Sequence, residues 1–245
     1  MRLSQVPANR LVAYLLLLVA LVISPLASAG TIPSRAEVRA VIGTATYATN
    51  GGPAKPLREG MILRSGSTIR TGSNSTVDVF LGVSAGVIRL AENSTVSFDK
   101  LTLTQTGADT AVEVQLHLPD GEMYFNVNKL SKASRYEIKM PNGVAGIRGT
   151  KGCFSSRQLG NVKPPIVVLT GTVTFAHVGP DGAVNVHTLN APPATYFSAD
   201  GVVKQAPPEL VDSVTKEVEA VVNGSTVVPV PPQTKQIEPF ISPNH

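Results

Sequence analysis

Between Ala36 and Gly201 the chain alternates apolar and polar residues with a period of two, the pattern of strands buried on one face. Val112, Val114, Leu116 and Leu118 interleave with Glu113, Gln115 and His117, which predicts a half-buried strand. Pro119-Asp120-Gly121 predicts a turn behind it. Met123, Phe125 and Val127 then share one face and Glu122, Tyr124 and Asn126 the other, so the two runs are expected to pair as an antiparallel hairpin over the core. The same device returns late, with Val173 and Phe175, the turn Pro180-Asp181-Gly182, and Val184 and Val186 coming back. Near the start, Val38, Ala40 and Ile42 alternate within one strand expected from Ala36 to Thr49, which ends at an Asn50-Gly51 hairpin turn.

From Leu57 to Gly72 the pattern tightens. Gly60, Gly66 and Gly72 punctuate Leu57, Leu63 and Ile69 so closely that each strand has only a few residues before it bends. Strands this short suit a roll or a solenoid rather than a wide flat sheet. An internal echo points the same way: Asn74-Ser75-Thr76-Val77 recurs 19 residues later as Asn93-Ser94-Thr95-Val96, each ahead of an alternating apolar run. Both copies fit an N-glycosylation pattern, but turn chemistry is the preferred reading.

The two ends differ from this middle. Arg2 and Arg10 precede the 13-residue run Leu11 to Ile23, followed by Pro25 and Ala27-Ser28-Ala29, which reads as a signal peptide over residues 1–29. An uncleaved anchor is the competing reading, but a span needs about 20 apolar residues. Residues 30–203 read as the β domain and 204–245 as a proline-rich tail. Within the tail, Leu210, Val211, Val214, Val218, Val221 and Val222 fall at helical spacing, with Asp212, Lys216, Glu217 and Glu219 opposite. One short amphipathic helix is expected there, lying against the β domain.

The most constrained stretch is Met140 to Phe154. Pro141, Asn142 and Gly143 end one strand in a tight turn, and a second short strand then starts. Gly146, Gly149 and Gly152 recur every third residue around Arg148, a spacing that suits close backbone approach or sharp bends and neither a helix nor a long flat strand. Arg148 is expected to satisfy several carbonyls freed by those bends, because a guanidinium carries five donors in a fixed fork.

With Pro141 followed by Arg148-Gly149-Thr150, this segment resembles the FecR family of bacterial envelope proteins. The likeness extends upstream through Leu63 to Gly72, Ile88 to Ser94 and Leu118 to Val127, and downstream through Val168 to Val173, covering roughly Val38 to Gly201. The resemblance implies a domain that works outside the cytoplasmic membrane, receiving a signal from an outer-membrane receptor and passing it to a sigma factor through an N-terminal cytoplasmic segment. Only ten residues precede the apolar run here, so that segment is not expected and direct sigma-factor control by a membrane-anchored regulator is the remoter alternative.

Charge and chemistry narrow the function further. Loss of residues 1–29 removes two arginines and no acid, taking the formal charge from +4 to +2, so no global nucleic-acid footprint remains. Lys129, Lys132, Arg135, Lys139, Arg148 and Lys151 nevertheless lie close together against one acid, Glu137, as a candidate patch for an envelope protein or an anionic cell-wall polysaccharide. A solvated strand face is the plainer reading of that patch. His117, His177, His187 and His245 are scattered without metal-ligand spacing, Cys153 reads as an idle thiol, and Gly82-Val83-Ser84-Ala85-Gly86 lacks the helix that a nucleophile elbow requires. The sequence therefore predicts an all-β roll or solenoid-like domain, with a sandwich as the alternative. It points to an exported, non-enzymatic binding, signal-receiving or scaffolding protein without cofactor, and without membrane insertion once the leader is removed.

Overall fold

The computed structural model describes residues 30–106, 109–157 and 165–225. The expected signal peptide and the last twenty residues of the tail lie outside them. Seventeen strands and one helix follow in order: β1 (Gly30–Pro33), β2 (Ala36–Ile42), β3 (Ala45–Thr49), β4 (Lys55–Pro56), β5 (Ile62–Leu63), β6 (Ser67–Thr71), β7 (Thr76–Phe80), β8 (Val87–Leu90), β9 (Thr95–Thr106), β10 (Asp109–Asp120), β11 (Glu122–Asn126), β12 (Arg135–Met140), β13 (Gly143–Ser155), β14 (Ile166–Val178), β15 (Val184–Ala191), β16 (Thr195–Phe197), β17 (Val203–Gln205) and α1 (Pro208–Ser225). Among the described residues the fold is thus mostly strand with a single helix at the C-terminal end, a curled open sheet resembling half a barrel.

The ladders explain the curl. One layer runs β5–β2–β7–β8–β11, and the other β4–β3–β6–β9–β10–β12. The two meet in β13 and β14, thirteen residues each, which pass through both. Residues 143–146 of β13 pair with β12 and residues 151–155 with β11. In β14, residues 166–168 pair with β16 and residues 171–178 with β15. Between the layers lies one core, including Val79, Ile88, Phe125 and Phe154 from the first and Ile69, Phe98, Leu116, Ile138 and Phe175 from the second.

Several sequence expectations change here. The strand expected from Ala36 to Thr49 breaks at Gly43 into β2 and β3, which belong to different layers. Val112 to Leu118 alternate in and out of the core as expected, yet β10 and β11 are not a hairpin: β10 pairs with β9 and β12, and β11 with β8 and β13. Gly121 carries the chain from one layer to the other. The strand after Pro141 is long rather than short, bent in its middle where the ladder slips between Arg148 and Gly152. The β14–β15 hairpin forms as expected, but Val184 and Val186 point to solvent because they share the sheet's outer face with Val178 and Val144, which are exposed as well.

The 19-residue echo proves to be one corner built twice. Asn74 and Asn93 both adopt left-handed backbone, with φ of 51° and 50°, and Ser75 and Ser94 are both buried. Ser75 Oγ accepts from Thr44 N at 2.9 Å and donates to Ser73 O at 2.9 Å. Ser94 Oγ accepts from Glu122 N at 3.0 Å and donates to Glu92 O at 3.1 Å. Each hydroxyl thus meets a backbone N–H that the bend leaves without a ladder partner. Gly121, at φ 107°, is the residue such a corner demands, since a Cβ there would collide with Ser94.

Candidate binding surface

The central motif sits where β13 and β14 cross between layers. Gly149 has φ 58° and packs its Cα side against Lys129, while Gly171 opposite has φ 84° and would drive a Cβ into the Gly149 carbonyl. Thr150 is fully buried; its Oγ1 donates to Thr172 O at 3.0 Å and its carbonyl accepts from Val127 N at 2.9 Å. Thr150, not Arg148, ties this bend together. Arg148 is exposed and donates one hydrogen bond, Nη1 to Ser131 O at 3.2 Å, so the expected clamp over several carbonyls is not built. The physical reason is the alternation itself: Ile147 faces the core, so Arg148 must face out. Pro141 is exposed in the β12–β13 turn, and Gly146 lies between Glu137 and Thr174.

The basic patch divides. Arg135 is bound to Glu137 at 2.6 Å, a hydrogen bond that raises its pKa, and Lys139 is bound to Asp99 at 3.0 Å. Lys129, Lys132 and Lys151 are exposed and make no ion pair among the described residues. Lys129 and Lys132 lie in the β11–β12 connection that also carries Ser131, the acceptor of Arg148, and Lys151 lies two residues beyond the bend. Four exposed cations, Lys129, Lys132, Arg148 and Lys151, thus lie on the bend or on the connection packed against it.

Lys151 also opens a groove of about 550 Å³ against the helix, walled by Leu169, Val211, Val218 and Val222 and edged by Thr170 and Glu219. Helix α1 starts with Pro208, whose missing N–H costs nothing at the first helical position, and has Glu209 in its first turn. Its Leu210, Val214 and Val218 pack on Cys153, Val167, Tyr124 and Tyr196, as the helical spacing predicted.

Beneath the helix lies a row of side chains that sequence reasoning missed. Asp78, Arg89, Tyr124, Cys153, Val167 and Tyr196 stand opposite one another across β7, β8, β11, β13, β14 and β16. Arg89 forks onto Asp78 with Nε to Oδ1 at 2.7 Å and Nη2 to Oδ2 at 2.8 Å, then reaches Glu217 of the helix at 3.2 Å. The Asp78 hydrogen bond, outweighing burial, raises the pKa of Arg89. Tyr124 Oη donates to Glu122 Oε1 at 2.8 Å, and burial, then Cys153 and Glu122, push its phenol far up. Cys153 Sγ lies 3.4 Å from the same carboxylate and is buried. Glu122 and Glu217, both assigned from sequence to polar faces, are thus inside or half inside.

Residues 67–174 match the FecR protein family. Over this segment the chain is similar to FecR proteins. The match runs from β6 through most of β14 and includes both Asn-Ser corners, the Arg89 row from Asp78 to Val167 and the bend at Gly149. FecR proteins are envelope-associated regulators, linked to control of sigma factors. No curated protein and no solved structure matches the chain. Among the described residues no helix is long and apolar enough to cross a membrane, and no three His, Cys, Asp or Glu side chains gather as metal ligands.

Proposed function

We propose that the chain is an exported, non-enzymatic FecR module that receives a signal in the envelope by binding a protein partner. The observation that carries this reading is the FecR match over the segment containing the bend, together with four cations beside it, none of which has an acidic partner among the described residues. Cations left unneutralised on an otherwise balanced surface favour an acidic protein face over an apolar one. The same cluster supports a second reading, in which an anionic cell-wall polymer is the ligand, because three of the four are lysines, whose ammonium groups act as point charges on a polyanion.

Affinity purification of the tagged chain from its own envelope tests the first reading. A specific copurifying protein is expected, lost in the Lys129→Ala/Lys132→Ala/Lys151→Ala variant and kept in Arg135→Ala/Lys139→Ala. If parent and triple variant recover the same proteins, the surface is misassigned. Retention on purified cell walls that salt abolishes, with no protein partner, would favour the second reading. N-terminal sequencing of the exported chain should start at Gly30; an intact N-terminus in the membrane pellet would instead mean an anchored regulator.

A further inference from the structure

Open sheets leave edges, and among the described ladders all but one of the strands that end them are very short. β4 and β5 have two residues each and β17 three, too short to template another strand. β15 has eight residues and pairs only with β14 among the described ladders. Its sequence, Val-Asn-Val-His-Thr-Leu-Asn-Ala, contains no lysine, acid or proline, the residues that blunt an edge.

The backbone polarity of that edge can be read from the next ladder. Val178 N donates inward to Asn142 O of the β12–β13 turn, so the Val178–Val184 pair is not hydrogen-bonded and Val184 directs its N–H and C=O outward. With a period of two, Val186 and Thr188 do the same. At Asn190 the outward carbonyl is already taken by Thr195 Oγ1 at 3.2 Å, which closes that end. The open stretch is therefore Val184 to Thr188. Beside it the outer face is apolar: Val186, Ala176 and Val144 lie in one cross-strand row and Val184 and Val178 in another. Val184 and Val186 are 63% and 67% exposed.

We infer that two copies of this chain pair through β15, antiparallel about a two-fold axis at Val186. The axis sets Val186 against its own copy and Val184 against Thr188, and all the outward N–H and C=O groups of the open stretch then find partners. An isologous contact demands self-complementarity. This edge meets the demand because no charged side chain from Val184 to Ala191 would face its like, and each copy extends the valine patch of the other across the axis.

Sedimentation of the full chain over a range of concentrations tests the pairing. A dimer that dissociates on dilution is expected, with Val186→Lys monomeric at every concentration and Val83→Lys, at a still more exposed valine on the β7–β8 turn, dimeric like the parent. Val186→Cys should form an intermolecular disulfide on oxidation, whereas the buried Cys153 of the parent should not; this arm decides the matter if Val186→Lys fails to fold. A parent that is monomeric throughout overturns the inference, including the case where its β15 amides resist hydrogen exchange because something else covers the edge. A Val186→Lys dimer as tight as the parent overturns it as well.

Discussion

In β12 every second residue is buried, Tyr136, Ile138 and Met140, whereas in β7 Val77, Asp78 and Val79 are buried in succession. The same contrast divides β13 within one strand: residues 143–148 alternate between buried and accessible, and residues 152–155 are all buried. The difference is helix α1, which lies over the β7–β8–β11 layer and leaves the outer face of the β10–β12 layer bare. A strand covered on both faces must find partners for its outward polar groups, and here Asp78 finds Arg89 and Tyr124 finds Glu122. A strand covered on one face can leave its charges in water.

Arg89→Ala should show the contrast most strongly. It strands the Asp78 carboxylate, only 3% exposed, without its fork, and should cost about 3–5 kcal/mol of unfolding free energy. Lys139→Ala removes the Lys139–Asp99 pair on the bare layer and should cost below about 1 kcal/mol, since both groups are in water. Denaturant unfolding of both variants decides it; equal losses would mean that the helix-covered layer is no different electrostatically. Next in size is Val218→Ala under the helix, expected to cost about 2 kcal/mol in lost burial and residual cavity. Val186→Ala on the bare layer should fall within about 0.5 kcal/mol in dilute protein.

The smallest effect concerns pH. His177 sits among Phe175, Phe197 and His187, and burial, with His187 second, lowers its pKa. The folded state then resists protonation more than the unfolded chain does. Its contribution to stability is complete above the ordinary histidine value of about 6.5 and is lost as pH falls through the lower folded value. Melting temperatures between pH 7 and 5 should decline less in His177→Gln than in the parent.

Much of this was legible from local pattern. The alternation of β10, the β14–β15 hairpin, the short strands around Gly60 and Gly66 and the helix at Leu210 to Val222 all follow from spacing that nearby residues carry. What a turn joins was not legible. A glycine at positive φ serves equally in a hairpin and in a corner between layers, so Gly121 reads as an ordinary turn, while Gly43 is hidden inside what reads as one strand. Nor was the row under the helix, because Arg89 and Glu217 are 128 residues apart in sequence and meet only when the helix docks. The basic run looked continuous for a similar reason: Asp99, which neutralises Lys139, lies on another strand forty residues away.

The account rests on the helix being a fixed cover, and Cys153 is a built-in reporter of it. Thiol labelling of the intact chain in native buffer should be slow and limited by opening, because Cys153 is 3% exposed beneath Val214 and Val218. Glu217→Ala, which loosens the helix, should speed labelling, whereas Val186→Lys on the other layer should leave the rate unchanged. Labelling of the parent as fast as an unfolded thiol, with the β-sheet signal intact, would show that the helix does not cover the layer and would contradict the account.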